Sequence, residues 1–193
     1  MSIAPWRSAI ARALHRNRSL VYARYLQLAT VKENGRPANR TVVFRGFLEE
    51  TNQLKFITDS RSEKVYQIQQ QPWAEICWYF PNTREQFRIS GCLTLVEGDN
   101  SHPTLQPDRI TTWQELSDAA RLQFAWPHPG KPRVDESAAF EPPPPNPTQP
   151  VPNFCLLLLD PVQVDHLELR GEPQNRRIYS RDEQQWSIQE INP

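Results

Sequence analysis

The chain has 193 residues, and its 22 Lys plus Arg balance its 22 Asp plus Glu, so the formal net charge is zero. That balance argues against a domain that coats nucleic acid, which needs a basic excess, and against an acidic solvating tail. No stretch approaches a membrane span of about 20 apolar residues. The charge is nevertheless uneven, because residues 1–45 hold nine basic residues and a single acid, Glu33.

Residues 3–17 read as an amphipathic helix, with Ile3, Trp6, Ile10, Ala13 and Leu14 on one face and arginines around the rest. Its Arg-rich, acid-poor composition also suits a transit peptide. No spacer separates it from the next patterned segment, which favours a helix docked on a sheet. The period then changes to that of strands. Arg24–Val31 is followed by an Asn34-Gly35 turn, then by Arg40–Leu48, a turn at Glu50–Asn52, and Gln53–Thr58. The spacing predicts an antiparallel meander. Ser60 and Glu63 stand in capping-box register, predicting a helix of about ten residues that Pro72 stops. Two more strands are predicted at Trp73–Phe80 and Gln86–Val96.

Residues 109–125 are helical by pattern, with Ile110, Trp113, Leu116, Ala120 and Phe124 at three- and four-residue steps. Residues 127–152 hold ten of the nineteen prolines and are predicted to form a surface excursion, too near the end to divide the chain into two domains. Four short strands follow, at 153–160, 163–169, 176–180 and 185–191. Many short strands with few helices predict one domain over 1–193, a mainly β fold of α+β type: an antiparallel barrel with helices packed on it.

The residues exclude several chemistries. There is no Gly-x-Ser-x-Gly, no P-loop and no Gly-x-Gly-x-x-Gly. Four histidines lack metal-ligand spacing, and three well-separated cysteines (Cys77, Cys92, Cys155) predict free thiols in a reducing cytoplasm. An anionic ligand must then be held by side chains. Alternation places Arg40 and Arg45 on opposite faces of their strand. Thr58, Ser60, Ser62 and Lys64 gather at a strand end and a helix start, where a phosphate could sit. A plain helix cap beside a solvated lysine is the competing reading.

Taken together, Arg40-Thr-Val-Val-Phe-Arg45, Phe56-Ile-Thr-Asp-Ser-Arg-Ser-Glu-Lys64, Trp78-Tyr-Phe80, Gln86-Phe-Arg-Ile-Ser-Gly91 and the tail Arg176–Trp186 ending at Pro193 resemble, in order and spacing, the motifs of the pyridoxamine 5′-phosphate oxidase family of FMN-binding split β-barrels. The resemblance covers roughly residues 20–96 and 153–193. It implies bound FMN, held by Arg40, Arg45, Thr58, Ser62 and Lys64. It also implies a homodimer in which Gln86 reaches the flavin from the partner subunit and Arg176 approaches the ring. Arg45 or Arg176 would stabilise the anionic reduced flavin. Trp78, Tyr79, Phe80 and Trp126 are aromatic candidates to cover the ring, with Trp78 and Phe80 better suited to the core.

The sequence departs from the family pattern in places. Arg45 replaces a lysine, Glu63 replaces an arginine, and Leu167 stands near the position of a flavin-side tryptophan. The family's substrate-phosphate grip, an arginine and a histidine, falls on Glu172 and Gln174, which cannot hold a phosphate. The expectation is therefore an FMN-dependent oxidoreductase whose substrate is not pyridoxamine 5′-phosphate. A flavin store or sensor, the true oxidase, and an interaction module using the proline-rich loop are the alternatives. Neither a metal nor a nucleic acid or membrane partner is expected, and no catalytic acid or base is assigned.

Overall fold

Helix α1 (Trp6–Arg16) buries Trp6, Ala9, Ile10 and Ala13, the one-face spacing of an amphipathic helix, whereas Ile3 stays exposed before it. The computed structural model describes residues 3–99, 101–183 and 185–193; Gln184 of the tail motif lies outside them. Asn17 closes α1. Its side chain donates to the Ala13 carbonyl at 2.8 Å and accepts from the Asn82 amide at 2.9 Å, tying the helix end to a strand turn.

Strands β1 (Tyr25–Val31) and β2 (Pro37–Val43) form a hairpin around Gly35, whose φ of +76° suits glycine. After a turn comes β3 (Leu54–Asp59), then α2 (Glu63–Gln70), β4 (Trp73–Phe80) and β5 (Glu85–Val96). Helices α3 (Gln106–Gln114) and α4 (Asp118–Leu122) precede the proline-rich segment, and β6 (Phe154–Glu168), β7 (Asn175–Asp182) and β8 (Gln185–Ile191) follow it. The eight strands of the described residues join one antiparallel sheet in the order β2-β1-β4-β5-β6-β7-β8, with β3 paired to β6. No described helix is long and apolar enough to cross a membrane.

Strand β6 is the spine. Its first half pairs with β3 and β5, and its second half with β7 and β5, so the sheet forks along it. The apolar run Phe154–Leu159 is buried throughout because both of its faces are covered. Leu157 and Leu159 enter the main core with Leu26, Ile76, Trp78 and Phe87, while Leu156 and Leu158 pack on Leu48 and Val96. Phe154 joins Trp113 and Phe124 in a small aromatic cluster, rings 5.0–5.7 Å apart. The three cysteines are free, Cys155 fully buried. Burial pushes its thiol up to about 12, so it is a packed, unreactive group.

Five sequence expectations change. The meander stops after β2, since β3 crosses to β6, although the chain beyond β2 still meets it through Arg45 and Lys55 backbone bonds and a Phe47–Leu54 bridge. The strand expected over 40–48 is accordingly Pro37–Val43. The segments 153–160 and 163–169 are one strand, with Pro161 falling where β5 and β6 slip register at Ser90/Gly91, a bulge being a place where a strand tolerates proline. The helix over 109–125 breaks into α3, α4 and a 3-10 turn, with Ser117 capping α4 through the Ala120 amide. Ser60 and Glu63 form no capping box: Ser62 is the α2 cap, and Glu63 accepts instead from Gln67 Nε2 at 2.9 Å.

The proline-rich segment is pinned rather than loose. Trp113 Nε1 donates to the Asn146 carbonyl at 2.8 Å, and the Arg109 guanidinium to those of Val151 and Phe154.

Candidate functional site

The end of β3 and the start of α2 make a polar corner. Ser62 Oγ donates to the Asp59 carbonyl at 2.8 Å, which holds the hydroxyl against Thr58 Oγ1, 3.1 Å away. Lys64 Nζ lies over the pair, 3.2 Å from Thr58 Oγ1 and 3.1 Å from Ser62 Oγ. Thr58 is buried, so the corner is fixed by the sheet. The structure thus brings Thr58, Ser62 and Lys64 together, and Ser60 stays outside their hydrogen bonds.

Arg40 approaches from β2. Its Nη1 donates to Thr30 Oγ1 at 2.7 Å and to the Leu28 carbonyl, and its Nη2 to Gln67 Oε1 at 3.0 Å. Gln67 is buried, and it also accepts from Thr30 at 2.6 Å. Thr30 and Gln67 therefore aim Arg40, a role absent from the sequence reading. The available signal was position: Gln67 is three residues after Lys64, on the same helix face.

No carboxylate contacts Lys64 or Arg40 among the described residues. Burial, then the charge of Arg40, lowers the pKa of Lys64. Burial also lowers that of Arg40, which the nearby Glu63 charge partly offsets. Glu63 itself lies outward, its side chain 74% exposed and 3.9 Å from Lys32. Two desolvated cations beside two hydroxyls form a site that an oxyanion would complete.

Asp59 is the carboxylate of this corner, and it is already spoken for. Arg61 forks onto it with contacts of 2.9 and 2.7 Å, and Asn153 donates at 2.8 Å. Arg61 and Asn153 also hold the Phe124 carbonyl, so the knot fastens the corner to the turn after α4. Burial alone would raise the Asp59 carboxyl; the Arg61 and Asn153 hydrogen bonds outweigh it and hold the group below its ordinary range. A depressed carboxyl stabilises above its unfolded pKa of about 3.9 and loses that contribution as pH falls through the folded value. Asp59→Asn is expected to cost ~1.5–3 kcal/mol at neutral pH, the range for a hydrogen bond to a charged group. Urea unfolding checks this: the wild type and the variant should differ at pH 7, and the gap should narrow progressively as the pH is taken below about 3.9.

A cleft of about 680 Å³ opens beside the corner, lined by Thr58, Ser62, Lys64, Arg45 and Tyr25 on one side. Arg45 lies two residues beyond the end of β2 and lines this cleft. Its Nε is buried without a partner among the described residues, and burial lowers its pKa. Trp126 also faces this cleft, whereas Trp78 and Phe80 are core residues and Tyr79 is exposed elsewhere on β4.

Gln86 and Arg176 do not line this cleft. They stand in one cross-strand row, Gln86 on β5, Leu167 on β6 and Arg176 on β7, so all three share a sheet face. Arg176 is forked onto Asp165 at 3.0 and 2.8 Å, and Arg88 reaches the same carboxylate at 2.7 Å. Glu172 and Gln174 line a separate groove of about 830 Å³ with Arg84 and Arg170.

This geometry can be set beside known proteins. Residues 3–97 match the FMN-binding domain model of pyridoxamine 5′-phosphate oxidase. An Arabidopsis thaliana protein named pyridoxine/pyridoxamine 5′-phosphate oxidase 2 is 38% identical over 99% of this chain and 98% of its own. A crystal structure from Nostoc punctiforme PCC 73102, described as a pyridoxamine 5′-phosphate oxidase-related, FMN binding protein, is 78% identical with a TM-score of 0.99 over the whole of both chains. PhzG from Burkholderia lata 383 shares the fold at a TM-score of 0.79 and 20% identity, over 100% of this chain and 98% of its own. The fold is the mainly β split barrel. The chain belongs to the pyridoxamine 5′-phosphate oxidase-related family and carries that family's FMN-binding domain.

Proposed function

We propose that the chain is an FMN-dependent oxidoreductase that works as a cytoplasmic homodimer on a substrate other than pyridoxamine 5′-phosphate. The observation that carries the cofactor part is the corner of Lys64, Arg40, Thr58 and Ser62, where cations and hydroxyls converge with no carboxylate contact. The residues fit a phosphate: burial and then the Arg40 charge lower the Lys64 pKa, and the negative charge of an arriving dianion would offset both. Thr58, Ser62, Lys64 and Arg40 would hold the phosphate, and Arg45, with an unpartnered Nε on the cleft side, would meet a further polar group of the flavin nucleotide. FMN, when bound, supplies hydride transfer at its ring system. The chain positions it and keeps cationic charge nearby.

The dimer is supported by a separation. Gln86 and Arg176 share a row away from the cleft of their own chain, which suits residues that serve a neighbouring chain's site. The substrate part is supported by Glu172 and Gln174, which offer a phosphate one anion and one neutral amide. The name of the Arabidopsis relative still makes pyridoxamine 5′-phosphate the first compound to try.

Purified protein is expected to be yellow, to hold one FMN per chain and to run as a dimer in light scattering. Anaerobic mixing with reduced nicotinamide should bleach the visible flavin band, and mixing with pyridoxamine 5′-phosphate should not. Colourless protein that takes up no added FMN would overturn the cofactor reading. Rapid bleaching by pyridoxamine 5′-phosphate would overturn the substrate reading.

A further inference from the structure

Where β5 begins and β6 ends, outside the cleft, a second set of ionisable groups meets. Glu85 and Glu168 are register partners across the ladder, so both carboxylates leave the same sheet face. His166, two residues before Glu168, leaves that face too. His166 Nε2 and Glu85 Oε2 are 2.9 Å apart. One donor atom from each of Glu85, His166 and Glu168 lies within 4.8 Å of the other two. Glu85 and His166 are 81 residues apart in the chain, so no ligand spacing shows in the sequence.

The imidazole is directed into this cluster. His166 is 2% exposed, and its ring stacks on Phe87 with centroids 4.1 Å apart and 9° between the planes. It has no hydrogen-bond partner outside the cluster among the described residues, since Nδ1 is buried and unpartnered. The carboxylates are short of cations. Like charges directly opposite on two strands repel. Arg177 is shared, 3.4 Å from Glu168 and 3.2 Å from Glu190, and the charge of Arg16 also reaches Glu85. Three carboxylates therefore divide two guanidinium groups, and the excess negative charge sits around a buried imidazole.

A cation between Glu85 and Glu168 would relieve that repulsion. One imidazole nitrogen with two carboxylate oxygens is a donor set for Zn2+ and its first-row neighbours, whereas Mg2+ and Ca2+ take oxygens alone. Bonds of ~2.0–2.2 Å place the donors about 3.4 Å apart around a tetrahedral ion. The Glu85–His166 pair is already that close, and Glu168, with its side chain 34% exposed, has room to close the rest. We propose that Glu85, His166 and Glu168 form a binding site for a divalent first-row metal ion, Zn2+ above all, with water completing the tetrahedron. The ion clips the start of β5 to the end of β6, on the sheet face opposite Gln86 and Leu167. This site is independent of the Lys64 corner and of its reading as an FMN phosphate site.

The test titrates Zn2+ alone, by calorimetry, into the full untagged chain after washing with a chelator and dialysis. One Zn2+ should bind per chain, and the Tm should rise with added Zn2+, since the site exists only in the folded state. Mg2+ at the same concentration should neither compete nor raise the Tm. Glu168→Gln and His166→Phe should each weaken Zn2+ binding at least about tenfold, the least that loss of a ligand is worth when loss of its outer partners costs ten- to a hundredfold. His166→Phe keeps a ring on Phe87. Should it fail to fold, the half-exposed Glu168→Gln decides the matter alone. No Zn2+ uptake by the wild type would reduce the cluster to a Glu85–His166 hydrogen bond and overturn the inference. Uptake unchanged in the variants would place the ion elsewhere, and equal binding of Mg2+ would remove the imidazole from the site. Either result overturns it too.

Discussion

Gly91→Ala is expected to destabilise the protein by at least ~3 kcal/mol, the upper range for overpacking a close-packed site. A β-carbon at Gly91 would lie 2.2 Å from the Asp160 carbonyl oxygen, 2.8 Å from its carbon and 3.0 Å from Pro161 Cα. All three are backbone atoms, which cannot swing aside as a side chain can. The opposing strand is also held, since Arg181 forks onto Asp160 at 2.8 and 2.9 Å. The clash falls where β5 and β6 slip register, between the half of β6 that carries β3 and the half that carries β7. Relief there must move one of the two halves. Urea unfolding measures the effect, and a change below ~0.5 kcal/mol, the size of an ordinary surface substitution, would mean that the two strands do not meet in this register.

Gly91 also shows what a linear reading can and cannot reach. In sequence it is one more strand residue, and Pro161 looks like a break between two strands. Across the ladder they are a single feature, a bulge with a close approach, and only non-local pairing makes it one. The same limit explains the lost meander: β1, β2 and β3 follow each other in sequence, but β3 finds better partners in the apolar run of β6. Amphipathic α1 was legible because its pattern is local. Thr58, Ser62 and Lys64 were legible for the same reason, lying within one strand end and the helix start after it. The capping box failed because Glu63 had other partners, Gln67 and Lys32, that its spacing to Ser60 does not reveal. Gln67 and Thr30 went unseen because a buried amide that aims an arginine has no motif. Lys131 and Arg133, which also line the cleft, lie inside a segment whose prolines announce only that it is neither helix nor central strand.

The uneven charge noted at the outset acquires a location in the same way. Of the nine basic residues in 1–45, Arg40 and Arg45 face the site. Arg7 covers the Phe47 ring at 3.4 Å and donates to the Thr51 carbonyl, so part of the early basic excess secures α1. The acids farther along the chain include Asp59 and Asp165, both neutralised by arginine forks. Lys64 and Arg40, by contrast, have no carboxylate in contact among the described residues.

Lys64→Ala should separate binding from stability in opposite directions. If Lys64 holds the FMN phosphate as proposed, removing the ammonium deletes a charged contact, and a hydrogen bond to a charged group contributes ~1.5–3 kcal/mol, or about ten- to a hundredfold in affinity. The apo fold should lose nothing comparable. Lys64 is a desolvated cation beside Arg40, without a carboxylate in contact. Its removal leaves Thr58 and Ser62 bonded to each other, with Ser62 still donating to the Asp59 carbonyl. No buried group is stranded, and a like-charge repulsion is relieved. The expected outcome is weaker FMN binding with an apo urea midpoint equal to or above that of the wild type, the signature of a residue kept for its ligand at some expense to the fold. Fluorescence titration of FMN and urea unfolding of the stripped protein read the two quantities independently. An unchanged FMN affinity would remove the phosphate from this corner, and a large loss of apo stability would make Lys64 a structural residue after all.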